Sequence, residues 1–308
     1  MAKAFLASLP GAVELGLLYA VMALGVYLTF RILNFPDLTV DGSFTTGAGI
    51  ASVLIIGGTE PALASLAAFF GGLAAGACTG LLHTKGKVNG LLSGILMMIA
   101  LYSINMRIMG KPNLALRGHE TIFADMEPLI MMPVFVLVIK VFLDLFLHTD
   151  LGLALRATGD NPQMIRSFGA NTDMTKVLGI SLSNGLVALS GALIAQQSGF
   201  ADISMGIGMI VIGLASVIIG EAIFGAGTVV RATLAVIFGS IIYRVVVALA
   251  LQVRWFDASD LKLITALIVI VALVVPTWQR LVKRRKTAQK RSQELLLSSQ
   301  GSRLDGDG

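Results

Sequence analysis

The sequence predicts an all-α, polytopic integral membrane protein with about eight to ten membrane-crossing elements, and three observations carry that expectation. Of its 308 residues, 56% are apolar and only 13% charged, about half the charge density usual for a soluble domain. The charges gather in a few clusters between apolar runs of about 20 residues, the length an α-helix needs to cross a bilayer. Glycine and alanine are dense inside those runs, as in Gly71-Gly72-Leu73-Ala74-Ala75-Gly76, and small residues let helices approach closely where lipid supplies no hydrophobic drive for association. With no water at membrane depth, each run satisfies its backbone hydrogen bonds within its own helix.

Nine runs are read as spans, near 11–33, 43–58, 61–82, 88–109, 129–147, 176–196, 207–224, 229–251 and 262–277. The first has no small-residue cleavage site behind a short hydrophobic core and is read as a retained span, not a signal peptide. The third contains the single cysteine, Cys78, expected to be a small buried packing residue. In the fifth, Lys140 and Asp144 are four residues apart, so they share a helix face and can pair. Leu33 to Ser43 and Gly199 to Gly227 are the two places where a broken or re-entrant element fits.

Positive charge flanking a span marks the cytoplasmic side. His83 to Lys87, Leu151 to Lys176 and the basic stretch Arg280 to Arg291 are therefore expected to be cytoplasmic, and the mixed loop Lys111 to Pro128 outside. The net charge of +5 belongs largely to that basic stretch and is no sign of nucleic-acid binding. Nine simple spans with a cytoplasmic C-terminus put the N-terminus outside, although Lys3 favours inside. The chain divides into a transmembrane domain, 1–278, and a basic then disordered cytoplasmic tail, 279–308.

Glu14, Arg107, Lys140, Asp144, Glu221 and Arg244 lie inside apolar runs. A lone charge at the bilayer centre costs about 2.5–3.5 kcal/mol on insertion scales, so each needs a partner or a wet cavity. Glu14 is expected to snorkel to the surface and Glu221 to be exposed near the cytoplasmic interface. The 13 methionines read as packing residues.

The longest polar interruption is Leu151 to Asn171, LGLALRATGDNPQMIRSFGAN. Asp160-Asn161-Pro162 is a helix-start signal, a capping side chain ahead of a first-turn proline. A short helix, Gln163 to Phe168, follows and ends at Gly169-Ala170-Asn171. Such a helix either docks into a groove on a soluble partner or lies on the lipid headgroups. Between the first two spans, Asn34, Asp37, Thr39, Asp41 and Ser43 sit among Pro36 and Gly42, which disturb helix geometry. Irregular backbone at membrane depth is tolerated where it faces protein or a watery cavity, and broken helices commonly form substrate sites in transporters. A plain solvent-exposed turn is the competing reading.

The run from Ala154 to Asn171, followed by ISLSNGLVALSGALIAQQ, resembles the coupling-helix region of ABC importer permeases of the branched-chain amino acid and ribose type. Those carry an Arg-Ala-x-Gly-x-Asn-Pro-x-Ala-Ala-x-x-x-Gly-Ile stretch. Arg156, Ala157, Gly159, Asn161, Pro162 and Gly169 fall on it, and Met164 and Ile165 depart from its small residues. The first span and the Asn34-Phe35 pair agree, while Pro36 to Gly42 is similar to a subfamily paired with lipoprotein-like substrate-binding subunits. The resemblance implies a plasma-membrane permease that couples to a separate ATP-binding subunit through Arg156, Gly159, Asp160, Asn161, Pro162, Arg166 and Gly169. It implies a translocation pathway along Asn34, Asp37, Thr39, Asp41 and Ser43. An external substrate-binding protein and a second permease, copy or sister, are the other implied partners. The solute implied is small and organic, with an amino acid as the family-weighted choice.

Three absences bear on the alternatives. There is no Gly-x-x-x-x-Gly-Lys-Ser/Thr phosphate cradle, no His-Glu-x-x-His zinc motif and no Gly-x-Ser-x-Gly elbow. Neither catalysis, a metal nor a cofactor is expected. The alternatives are an ion-coupled secondary transporter using Glu14, Asp144 or Glu221, and a membrane-embedded Mg-dependent transferase using Asp37 and Asp41 with Asp257 and Asp260.

Overall fold

The computed structural model describes residues 2–124 and 128–251, together with positions 263, 266, 267, 270, 271 and 274. The expected basic tail, Asp257 and Asp260, and most of the ninth span lie outside the described residues. Among the described residues, seven helices are long and apolar enough to cross a membrane, and an eighth apolar helix is shorter.

Helix α1 (Ala2–Tyr27) runs into a π-helical turn over Leu28–Ile32 and then leaves helical geometry. Helix α2 follows as Thr39–Ile56, α3 as Pro61–Thr84 and α4 as Gly90–Met109. A short strand, β1 (Asn113–Ala115), comes next, then α5 (Pro128–His148). Two short helices, α6 (Asp150–Asp160) and α7 (Pro162–Ser167), form an elbow before the long α8 (Thr172–Ser198). Strand β2 (Phe200–Asp202), α9 (Met209–Phe224) and α10 (Val229–Leu251) complete the described chain. β1 and β2 pair antiparallel, Leu114 opposite Ala201, and close the end of the bundle remote from the elbow.

The centre is α8, packed against α3, α2 and α1. These helices touch backbone to backbone because glycine stands at the crossings. A Cβ on Gly47 would fall 1.9 Å from the Ala188 carbonyl oxygen, and one on Gly191 would fall 2.0 Å from the Phe44 carbonyl oxygen. Small residues thus replace bulk as the source of close helix packing, as expected where lipid offers no hydrophobic drive. The outward faces of α3, α4 and α5 keep large apolar residues exposed, among them Phe70, Ile99 and Phe142, which suits a lipid-facing surface.

Several expectations are corrected here. Cys78 is exposed, because Gly76, Thr79 and Gly80 take the inward face of α3 and turn the thiol outward. The second span begins at Thr39 rather than residue 43, so Thr39, Asp41 and Ser43 lie on a helix and not in the linker. Residues 150–160, read as polar loop, are helical, with Leu155 and Thr158 buried against the bundle. The paired strands were not foreseen. Three-residue strands carry too short a pattern to read.

Candidate functional site

Two polar regions stand out, and they are satisfied in opposite ways. The first is the chain break between α1 and α2. The π-helical turn lets the Leu33 and Phe35 amides donate back to the carbonyls of Leu28 and Thr29, at 3.0 and 2.8 Å. Asn34, at φ 51°, then turns the chain, a conformation that asparagine tolerates better than most side chains. Asn34 and Pro36 remain exposed, whereas Asp37, Thr39 and Ser43 are fully buried.

Asn184, in the middle of α8, is the hub of that buried region. Its Nδ2 donates to Asp37 Oδ2 at 2.6 Å and to the Ile180 carbonyl at 2.9 Å, and its Oδ1 accepts from Ser43 Oγ at 2.7 Å. Asp37 Oδ1 accepts from the Thr39 amide at 2.9 Å. The Thr39 hydroxyl meets that of Thr79 on α3 at 2.8 Å, and Asn105 on α4 donates to the Gly42 carbonyl at 3.2 Å. Four helices therefore converge on one break. Asn184 was not singled out by sequence reading. A lone asparagine among small residues within an apolar run is the signal that marks it, since a buried amide in a membrane requires partners.

Asp41 does something different. Its two carboxylate oxygens accept the amides of Gly208 and Ile210, each at 2.9 Å, and the nearby Thr45 hydroxyl accepts the Gly206 amide at 3.1 Å. Helix α9 has a glycine at its N-cap and no side-chain cap of its own. Asp41, from the first turn of α2, supplies that cap across the bundle, where an anion also suits the positive end of the helix dipole. The two aspartates thus have separate partners and do not converge as a paired carboxylate site.

The second region is the α6–α7 elbow. Asn161 caps α7, its side chain accepting the Met164 amide at 3.1 Å, with Pro162 in the first helical position. Gly169, at φ 84°, ends α7, and Asn171 caps α8 by accepting the amides of Asp173 and Met174. Arg166 donates to Thr172 at 2.6 Å and to Asp173 at 3.0 Å, tying α7 to the start of α8. Helix α7 has no buried residue. Met164 and Phe168, one turn apart, are 55% and 75% exposed.

The root of the elbow is fixed as firmly as its tip is free. Gly159 lies so close to α1 that a Cβ there would fall 1.8 Å from the Ile32 carbonyl oxygen. Leu155 is buried, and the Thr158 hydroxyl meets that of Thr175 on α8 at 3.0 Å. Beside this root, Arg31 donates to Glu221 at 2.9 Å, joining the end of α1 to the end of α9. A polar cavity of about 330 Å³ lies there, lined in part by Tyr27, Arg31, Arg156, Asp160 and Glu221.

Four of the intramembrane charges, Glu14, Lys140, Asp144 and Glu221, have defined partners. Lys140 pairs with Asp144, as the spacing predicts, and Asp144 also accepts from Thr233 at 2.8 Å. Glu14 accepts from Gln197, and Glu221 is held by Arg31 rather than simply exposed. Glu14, Asp144 and Glu221, the acidic groups considered for ion coupling, are thus each engaged.

Comparison with known proteins follows the same lines. A family model described as branched-chain amino acid transport system / permease component matches residues 11–274. The tyrosine transport system permease protein of Clostridioides difficile (strain R20291) is 48% identical over 258 residues, which span 83% of this chain and 87% of that protein. The ribose import permease of Escherichia coli (strain K12) is 30% identical over 181 residues, 56% of this chain and 56% of that one. Among solved structures, PsaBC from Streptococcus pneumoniae in complex with Fab superposes with a TM-score of 0.56 at 14% identity, covering 92% of this chain and 100% of that chain, a likeness of fold.

Proposed function

We propose, from the premise that this chain belongs to the branched-chain amino acid transport system permease family and is a multi-pass ABC importer permease rather than an enzyme, that it carries an amino acid inward under the drive of a separate ATPase. The observation that carries this reading is the elbow, with its root locked against α1 and its tip presenting Met164 and Phe168 to a partner. A docked ATP-binding subunit would seat these apolar side chains in a groove, with Arg156, Asp160, Asn161, Pro162 and Arg166 around the contact and the Gly159 and Gly169 turns fixing its shape.

Closure of the ATPase dimer on ATP then pushes α7 as a rigid body. Gly159 against Ile32 passes the push to α1, and the Arg31–Glu221 pair passes it to α9. Helix α9 is held at its far end by Asp41, so displacement of either end bears on the break formed by Asn34, Asp37, Thr39, Asp41 and Ser43, which borders the pathway. Motion of packed helices as blocks is the usual form of such transitions. In this reading the elbow end and the C-terminus are cytoplasmic, the β-strand end faces an external substrate-binding protein, and a second permease completes the pore. The tyrosine permease relative supports an amino acid, aromatic ones first, as the solute.

Co-purification of the ATP-binding subunit tests the docking role. Replacing Phe168 by Ala, or Arg156 and Asn161 singly, should lower association while the permease stays folded. Unchanged association for all three would remove the coupling assignment. Full-rate transport by the permease alone in vesicles would remove the ATP-driven mechanism.

A further inference from the structure

Arg244 is not explained by the architecture described above. It lies on α10 inside the span Val229–Ala250. Nearby, Ile241 packs on Gly16 and the Ser240 hydroxyl donates to the Gly16 carbonyl at 2.7 Å, which sets Arg244 in the half of the bundle remote from the elbow. No described carboxylate lies within ion-pair distance, and its Nε is buried without a hydrogen-bond partner. Glu14, at a similar depth on α1, is engaged with Gln197. What Arg244 does have is Tyr19. The guanidinium carbon sits 3.7 Å from the ring centroid, and that ring lies parallel to Phe44 at 6.2 Å with 7° between planes.

A cation over an aromatic face recovers part of the cost of leaving water, but among the described residues it leaves the donor fork of the guanidinium without an acceptor at Nε. That fork matches a carboxylate in two parallel hydrogen bonds, and a charge-assisted pair of this kind is strongest where water is excluded. An unpaired cation inside a membrane marks a functional site unless a partner is found. Tyr19 and Phe44 are themselves buried, so they serve as a platform that holds the guanidinium, not as a surface for the solute.

We propose that Arg244, positioned by Tyr19 and Phe44, receives the carboxylate of the amino acid solute as it passes from the external side into the bundle. This rests on the amino acid reading above and adds a residue that selects for the carboxylate. Arg244 contacts the solute; Tyr19 is a positioning residue.

The test uses the purified permease–ATPase complex, with and without its binding protein. Without the binding protein, millimolar L-tyrosine should raise the thermal midpoint and tyramine, which lacks the carboxylate, should not. R244M should abolish the tyrosine shift, R244K should restore part of it, and Y19L should weaken it. With saturating binding protein in proteoliposomes, R244M should lower the maximal transport rate at least tenfold while ATPase association and the ligand-free midpoint stay at the wild-type values. A wild-type response in R244M overturns the proposal. So does a loss of ligand-free stability or separation of the permease pair, either of which would make Arg244 a structural residue. If the wild-type complex with its binding protein carries no amino acid, the functional reading itself fails, a result distinct from wild-type transport that R244M leaves untouched.

Discussion

The break between α1 and α2 and the elbow between α5 and α8 are both polar interruptions of an apolar chain, but they draw their hydrogen bonds from different distances in sequence. At the elbow both caps are local, Asn161 to Met164 and Asn171 to Asp173, and so is the tie from Arg166 to Thr172. At the break the partners are remote: Asp37 to Asn184, Ser43 to Asn184, Thr39 to Thr79, Asp41 to Gly208. A region that satisfies itself can protrude and be pushed without unravelling. A region that depends on three other helices moves only when they move. The contrast separates a handle from a hinge, and it can be tested by asking how far damage spreads from each.

The largest effect is expected at the hub. Replacing Asn184 by Leu strands the Asp37 carboxyl and the Ser43 hydroxyl in the interior, and leaving a buried polar group without its partner costs about 1–3 kcal/mol each. Thermal unfolding in detergent should show a large fall in midpoint, and the double variant Asp37→Leu with Asn184→Leu should lose less than the two single losses combined, because neighbours in one network are not additive. An additive result would mean that the network is no unit.

Asp41→Ala comes next, with about 1–2 kcal/mol lost as a cap is removed, and Asp41→Asn retaining part. Hydrogen exchange should quicken at Gly208 to Ile210 on α9, far along the chain from the substitution. Exchange confined to α2 would contradict capping across the bundle. Asn161→Ala is expected to cost about 1 kcal/mol, with faster exchange only in α7 and the adjoining ends of α6 and α8. The smallest effect on stability belongs to Phe168→Ala, within about 0.5 kcal/mol as for most exposed sites, yet it should weaken ATPase association more than any of the others. If its stability loss rivals that of Asn184→Leu, the elbow is no free handle.

The same contrast explains what could be read from the sequence. The apolar runs gave their helices, since burial in lipid imposes helix on each run regardless of its neighbours. The cap of α7 was legible because Asn161 and Pro162 act within their own turn. Pairing of Lys140 with Asp144 was legible for the same reason. The partnership of Asp37 with Asn184 was not, being a meeting of residues 147 positions apart with no local trace. Nor was the Arg31–Glu221 pair, which depends on how α1 and α9 end beside each other. Helix α6 was missed because it is only moderately apolar and its helicity is secured by Leu155 and Thr158 packing on the bundle.

The outward-facing thiol of Cys78 has a practical consequence. As the single cysteine of the sequence, it accepts a spin label without any prior mutagenesis, on a surface that the contacts of α3 leave untouched. A pore built from two copies would then show one sharp dipolar distance across the complex, and a pore completed by a cysteine-free sister would show none, so the stoichiometry of the assembly can be counted by magnetic resonance on the native sequence.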